Sequence, residues 1–302
     1  MFKVLTEASG SLVSTYLLRA IQQAGFIAVG SDITDQCAAK YIADDFMIMP
    51  SKNDPNLWAD ILNNCLEHQI DMVIPSFDET LLGWSQRKVE FSGNGIHVLI
   101  SDAATLEICQ DKWKTYLFFE RNGIPTPKTS LSQIYPLVKP REGRGGQGIR
   151  VEEQEIDMNG MISQELVSGE EVTIDIFCDK DSTPVYIVPR KRMLVKNGKS
   201  TAGIVIQNKK IEEEVRKICG ILPFYGPINI QCFLCDDGSI KFIEINPRIA
   251  GGMALGFAAT ENWVSLAVEH FIRGGAISPK KVQYGMKMMR YYHELFIAEG
   301  KS

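Results

Sequence analysis

The hydrophobic positions change their period part-way along the chain. Up to about residue 105, short apolar runs alternate with stretches of helical spacing. "FKVLT", "IAVGSD", "IDMVIP" and "IHVLIS" read as strands. "SLVSTYLLRAIQQAG" and "DPNLWADILNNCLEHQ" carry amphipathic helical spacing, the first ending in glycine. Strand–helix alternation predicts a parallel α/β sheet, with ligand loops at strand C-termini such as 9–11 and 76–79. Ordinary βα connections are an equal reading of those loops. "ATLEICQDKWKTYLFFERNG" predicts one amphipathic helix, and "IPTPKT" a proline-rich linker. Beyond it, period-2 runs and turns dominate residues 135–206, a helix is predicted at "IEEEVRKICGIL", a long β pair at 227–245 and a further helix at "ENWVSLAVEHFIRGG". The first part is therefore α/β and the second α+β.

Composition narrows the function classes. The 302 residues are 45% hydrophobic and 23% charged, with a net charge of -5, which argues against a broad nucleic-acid footprint. No apolar run approaches the roughly 20 residues of a membrane span. The seven cysteines are odd in number and no signal-peptide pattern opens the chain, so reduced thiols and a cytoplasmic location are expected. Cys232 and Cys235 form a C-x-x-C inside a predicted strand, where they point to opposite faces, and the four histidines show no ligand spacing.

Candidate chemistry begins at "KPREGRGGQGIRV", residues 139–151, where "GRGGQG" reads as G-x-G-x-x-G. A dinucleotide loop needs a helix after it, whose N-terminus receives the pyrophosphate. Here Ile149 and Val151 continue as strand, and no G-K-[ST] follows. Gly143, Gly145, Gly146 and Gly148 therefore sit at a hairpin tip flanked by Arg141, Arg144 and Arg150, which suits a flap over nucleotide phosphates. A flexible glycine turn is the plain alternative. The landmarks of a protein kinase are absent downstream.

The second feature is "GPINIQCFLCDDGSIKFIEINPRIAGG", residues 226–252. Asp237-Gly238 predicts a two-residue hairpin loop with Asp236 paired to Ser239. That register sets Gln231 opposite Glu244 and Asn229 opposite Asn246, all on one face. Ile228, Ile230, Cys232, Leu234, Ile243 and Ile245 then form the apolar face. One carboxylate with amide oxygens is a hard-cation set suited to Mg²⁺, and Arg248 is placed to meet a transferring phosphoryl group. A solvated sheet face is the alternative reading.

Taken together, these segments resemble the ATP-grasp superfamily, and in particular one synthetase unit of the carbamoyl-phosphate synthase large chain. "GPINIQ" followed by "FIEINPR" matches the metal and catalytic signature, "LVKP" with the glycine flap matches the nucleotide clamp, and "QELVSGEEVTID" matches the hinge that reads adenine and ribose. The resemblance spans roughly residues 1–275. It implies a pre-ATP-grasp α/β domain over 1–108, an ATP-grasp domain over 109–280 and a C-terminal tail over 281–302. It implies that Lys112 and Lys139 meet the ATP phosphates, that Glu165, Leu166 and Val167 sit at the adenine and Glu171 at the ribose. It further implies Gln231, Glu244 and Asn246 as metal ligands and Arg248 as the catalytic arginine, with ATP and Mg²⁺, or Mn²⁺ in its place, as cofactors. Lys139, leaving an apolar strand, is already unlike a solvated lysine, whereas Lys112 rests on the resemblance alone.

The chain departs from that pattern in having one unit and no glutaminase, and "IAGG" after Arg248 is not the biotin carboxylase continuation. Arg190 and Arg192 in "PRKR" are further candidates for holding an acidic substrate, with a surface role as the alternative. The implied activity is an ADP-forming ligase that activates a small carboxylate as an acyl phosphate for an amine or thiol nucleophile. A small-molecule kinase and a nucleotide-sensing module without turnover are the competing readings. No nucleic-acid or membrane partner is expected, and homo-oligomerisation is open.

Overall fold

A computed structural model describes residues 1–11, 14–143, 145–196, 199–291 and 293–298. Arg144, one of the anticipated flap arginines, lies outside the described residues. Five parallel strands, β1 (Lys3–Thr6), β2 (Ile27–Asp32), β3 (Asp45–Ile48), β4 (Met72–Ile74) and β5 (His97–Val98), stand in the order β3-β2-β1-β4-β5. Helices α1 (Thr15–Gln23), α2 (Ala39–Ile42), α3 (Leu57–Glu67) and α4 (Leu81–Gly93) connect them. Strand β3 and helix α4 escape the sequence pattern for related reasons. β3 is an edge strand that buries Met47 and leaves Ile48 56% exposed. α4 buries Leu81, Trp84 and Phe91 too sparsely to show a period, although Trp84 packs 5.2 Å from Trp58 and 4.8 Å from Phe91.

The single helix expected around residue 110 is two: α5 (Ala103–Gln110) and α6 (Lys112–Arg121). Asp111 makes the break. Its backbone is extended, and its carboxylate accepts the N–H groups of Trp113 at 2.8 Å and Lys114 at 3.4 Å. An aspartate that caps a new helix competes with continuation of the old one.

The second half holds two antiparallel sheets. Strands β6 (Thr129–Ser130), β7 (Leu137–Pro140), β8 (Arg150–Val151) and β9 (Met161–Gln164) run in the order β6-β9-β7-β8. Strands β10 (Gly169–Cys178), β11 (Pro184–Lys196), β12 (Lys199–Val205), β13 (Gly226–Cys235), β14 (Ile240–Asn246) and β15 (Lys287–Met289) run in the order β14-β13-β10-β11-β12-β15. Residues 287–289, within the segment expected as a tail, thus add an edge strand to the larger sheet.

Alternation gives that sheet two unlike faces. Val172, Ile174, Ile176, Ile228 and Ile230 are buried against Ile211, Val215 and Ile218 of α7 (Lys209–Ile221). The alternate positions carry Glu171, Thr173, Asp175, Asn229 and Gln231. Helices α8 (Ala254–Ala259) and α9 (Trp263–Ala267) follow β14, and α9 runs on into a π-helical turn at Val268–Ile272. They also carry the N-terminal layer: Leu17, Leu18 and Ile21 of α1 share one apolar cluster with Phe257, Trp263 and Val264. Asn262 Nδ2 donates to Ala20 O at 2.7 Å, and Tyr16 Oη to Ala250 O at 2.8 Å. Among the described residues, no helix is long and apolar enough to cross a membrane.

The β13–β14 hairpin corrects the sequence reading while keeping its consequence. The turn is one residue wider than expected: Cys235 N–H donates to Ser239 O and Gly238 N–H to Cys235 O, each at 2.9 Å, with Gly238 at φ 78°. Asp236 therefore belongs to the loop instead of pairing with Ser239. A bulge between Gln231 and Cys232 on the pairing ladder then restores the register. Beyond it Gln231 lies opposite Glu244 and Asn229 opposite Asn246, as anticipated. The bulge also exchanges Ile243 for Phe242 in the core, where Phe242 is fully buried.

Candidate active site

Lys139 sits in β7, 5% exposed, and donates Nζ to Gln164 Oε1 on the neighbouring β9 at 2.9 Å. Burial pushes its ammonium down to about 8, with Glu244 acting to restore the charge and Lys112 adding to the loss. A cation held in so dry a place is poised for an anion that replaces its lost hydration. Lys112 reaches the same place because Asp111 breaks the helix just before it. Its N–H donates to Arg141 O and its Nζ to Gly143 O, both at 2.9 Å. Arg141 in turn forms an ion pair with Asp111. Although burial works to raise the Asp111 carboxyl, Arg141 and the capped N–H groups hold it below its ordinary range. The helix break, the base of the flap and the first lysine are one connected unit.

The flap glycines have φ of 101° at Gly143, 68° at Gly145 and 72° at both Gly146 and Gly148. This left-handed region is costly for other residues. A Cβ on Gly148 would in addition lie 3.0 Å from Pro140 Cγ. The flap folds over one cavity lined by Lys112, Lys139, Gly143, Gly145, Gly146 and Glu244. Residues distant in sequence and singled out separately thus meet around one space.

Glu244 and Asn246 continue along β14. Asn246 Nδ2 donates to Glu244 Oε1 at 2.6 Å, while its Oδ1 accepts from Arg248 Nη2 at 3.4 Å. Gln231 lies directly across the ladder from Glu244. Among the described residues, no three His, Cys, Asp or Glu side chains gather to hold a metal ion. The donor set here, one carboxylate with two amides, fits a cation that keeps waters and takes phosphate oxygens, as Mg²⁺ does. Holding it would require the Asn246 amide to turn its oxygen toward Glu244.

Of the remaining anticipated residues, Glu171, Arg190 and Arg192 lie on the same face and three lie in a connection. Glu165, Leu166 and Val167, with Ser168, form the link between β9 and β10, and so between the two sheets. Glu165 pairs with Lys241, and Leu166 is 57% exposed. Glu171 pairs with Arg192 across β10 and β11. Arg190 is not brought to the flap. It is 3% exposed, bonds Asp175 through Nε at 2.8 Å and Nη2 at 3.2 Å, and would lie 2.5 Å from a Cβ on Gly252. Asn229 Nδ2 completes the cluster at 2.8 Å from Asp175 Oδ1. Sequence reasoning passed over Asp175, although alternation in "EEVTID" places it on this face. It also passed over Arg290, which donates to Gly251 O, and although it named the 76–79 loop it did not foresee that Asp78 there pairs with Arg248, whose Nε donates at 2.8 Å. Contacts between residues 170 positions apart leave no local signal.

Comparison with known proteins identifies this architecture. Residues 109–252 match the family model of the ATP-grasp domain, and residues 10–99 that of the PylC-like N-terminal domain. Residues 109–252 form an ATP-grasp domain. The resemblance read from the sequence is thereby borne out. A carbamoyl-phosphate synthase from Methanobrevibacter smithii is 22% identical over 267 residues, covering 78% of this chain and 72% of the relative. The biotin carboxylase domain dimer of the Hydrogenobacter thermophilus 2-oxoglutarate carboxylase, in complex with MgADP, ADP and bicarbonate, superimposes with a TM-score of 0.71 at 15% identity, over 94% of this chain and 73% of that one. An L-amino acid ligase from Bacillus licheniformis does so with a TM-score of 0.71 at 16% identity, over 89% and 74%. These structural likenesses concern the fold. Within the ATP-grasp domain, the flap is the β7–β8 hairpin, and the face it covers is the polar side of the six-stranded sheet.

Proposed function

We propose that this chain is an ATP- and Mg²⁺-dependent, ADP-forming ligase. The observation that carries the reading is the convergence of Lys112, Lys139, the flap glycines and Glu244 on one cavity. In this reading residues 109–280 hold the reaction and 1–108 support it. Lys139 and Lys112 bind the nucleotide phosphates, and the flap N–H groups close over them and exclude water. The 165–167 link takes the base, and Glu171 the ribose. Gln231, Glu244 and Asn246 would hold Mg²⁺, which supplies charge neutralisation on the phosphates. Arg248, beside Asn246, offers its guanidinium to the phosphoryl group in transfer. A carboxylate oxygen of the substrate attacks the γ-phosphorus and ADP leaves. An amine or thiol then displaces phosphate from the acyl phosphate.

The test is a screen of ADP release over carboxylic acids and amino acids, each with and without amines and thiols. Release that needs an acid and is completed by a nucleophile is expected. Arg248→Lys should lower kcat by about 10²-fold or more with little change in ATP affinity. Glu244→Ala should abolish turnover in a folded protein. Full release without any nucleophile would favour a kinase, and wild-type turnover in Glu244→Ala would remove the metal assignment.

A further inference from the structure

We propose that Asp78 is the positioning residue for Arg248, so that the N-terminal layer, through its 76–80 loop, supplies part of the phosphoryl-transfer site. This rests on the reading of Arg248 given above. Among the described residues, Arg248 makes three hydrogen bonds that differ in quality. Those to Ile249 O and Asn246 Oδ1 are long, at 3.3 and 3.4 Å. The bond from Nε to Asp78 Oδ1 is 2.8 Å, and the two side chains are only 13% and 19% exposed. A half-dry, charge-assisted bond is the one that sets the guanidinium plane. It also leaves both Nη atoms on the side of Asn246 and the loop that follows it.

Asp78 is itself held by an arrangement whose cost calls for a reason. Strands β1 and β4 are neighbours at the point where the winding of the sheet reverses. In such sheets the crevice beyond those two strand ends is where ligands sit. Here Glu7, 3% exposed, fills it. Its carboxylate accepts Thr80 Oγ1 at 2.9 Å and Ser76 N–H at 3.2 Å, and its carbonyl accepts Ser76 Oγ at 2.7 Å. Gln110 Nε2 donates to Asp78 O at 2.6 Å from the last residue of α5. The next two residues are Asp111 and Lys112, the break that presents the phosphate lysine. A buried carboxylate is a poor way to stabilise a loop for its own sake, since apolar packing does so without desolvating a charge. Its effect here is to fix both ends of a five-residue loop whose middle carries Asp78. The loop thus ties the N-terminal sheet, the phosphate lysine and Arg248 into one frame.

The experiment uses the full chain as Asp78→Asn, Asp78→Glu and Arg248→Lys. Three quantities are read: MgATP affinity by calorimetry, ADP release with the best acid from the screen, and the arginine Nε–H signals in ¹H–¹⁵N spectra. In wild type, one Nε–H signal that Arg248→Lys removes should be protected from exchange. Asp78→Asn should lose that protection and lower kcat about 10- to 100-fold, with MgATP affinity within about twofold. Asp78→Glu should recover part of both. Wild-type turnover in Asp78→Asn beside an inactive Arg248→Lys would overturn the proposal and leave the Arg248 reading standing. Wild-type turnover in Arg248→Lys would overturn both. A protected signal that survives Asp78→Asn, or an equal loss of MgATP affinity and turnover, would also overturn it, since the loop would then serve the fold.

Discussion

Nucleotide binding should be coupled to a proton on Lys139. The perturbation is pH. In the free protein burial holds the ammonium at about 8, against 10.5 for an ordinary lysine. A difference of that size penalises the charged form by about 3 kcal/mol. A triphosphate beside it removes the penalty, because a close anion favours the charge. Binding then takes up the proton the free protein has lost: about a tenth of a proton at pH 7, about half at pH 8 and about nine-tenths at pH 9. ATP affinity should fall by close to tenfold per pH unit above that range, until the bound-state value is passed. The unliganded protein moves the opposite way. Between about 8 and 10.5 the folded state carries fewer protons on Lys139 than the unfolded chain, so stability rises with pH across that window. The assay is calorimetric titration of a non-hydrolysable ATP analogue with Mg²⁺ at pH 7, 8 and 9, in buffers of different ionisation heat. Lys139→Met serves as the control, with weakened binding and no uptake from this site. Uptake that stays near zero through pH 9, or that is unchanged in Lys139→Met, would refute the reasoning.

Three further outcomes follow from the geometry. Asp175→Ala leaves the buried Arg190 guanidinium unpaired and should cost about 3–5 kcal/mol in denaturant unfolding, most of it recovered in the double variant with Arg190→Met; a cost under 1 kcal/mol would show that water reaches the pair. Burial raises the Glu7 carboxyl above 4.5, so the folded state keeps a proton that the unfolded chain releases, and this contribution to stability is lost as pH rises from that value toward the folded one; Glu7→Gln should flatten melting temperature against pH over that window, and an unchanged profile would exclude Glu7 as its source. Gly169 has φ 148°, and a Cβ there would lie 2.3 Å from Leu234 O, so Gly169→Ala should lose at least about 2 kcal/mol by the same unfolding measurement.

How much of this could be read without a structure differs from residue to residue. Period-2 alternation, joined to the register expected from the Asp237-Gly238 turn, placed Gln231, Glu244, Asn229 and Asn246 on one face, because side-chain direction in a strand is set by parity and its cross-strand partner by register. The details that produced that register were another matter. A loop wider by one residue and a bulge at Gln231/Cys232 are each near-invisible in sequence, and they cancel, so the site end of the hairpin was right and its core end wrong at Ile243. The helix break at Asp111 was written in the sequence as a capping residue, but apolar spacing ran across it and hid it. Glycines 143, 145, 146 and 148 marked a hairpin tip, with a flap or a plain turn as its readings, and all four do adopt the left-handed backbone that favours that residue type. What the chain could not declare is who meets whom across the fold. Lys139 already stood out as a lysine leaving an apolar strand, but only the packed structure shows how dry it is and that its charge is disfavoured. Arg190 and Arg192 looked alike in "PRKR", yet one is sealed against Asp175 and the other pairs with Glu171 nearer the surface. Arg248 finds Asp78 across 170 residues because packing α1 against α8 and α9 brings the N-terminal layer to the site. Local pattern records the direction in which a side chain leaves its own backbone; its partner, dryness and charge belong to the packed whole.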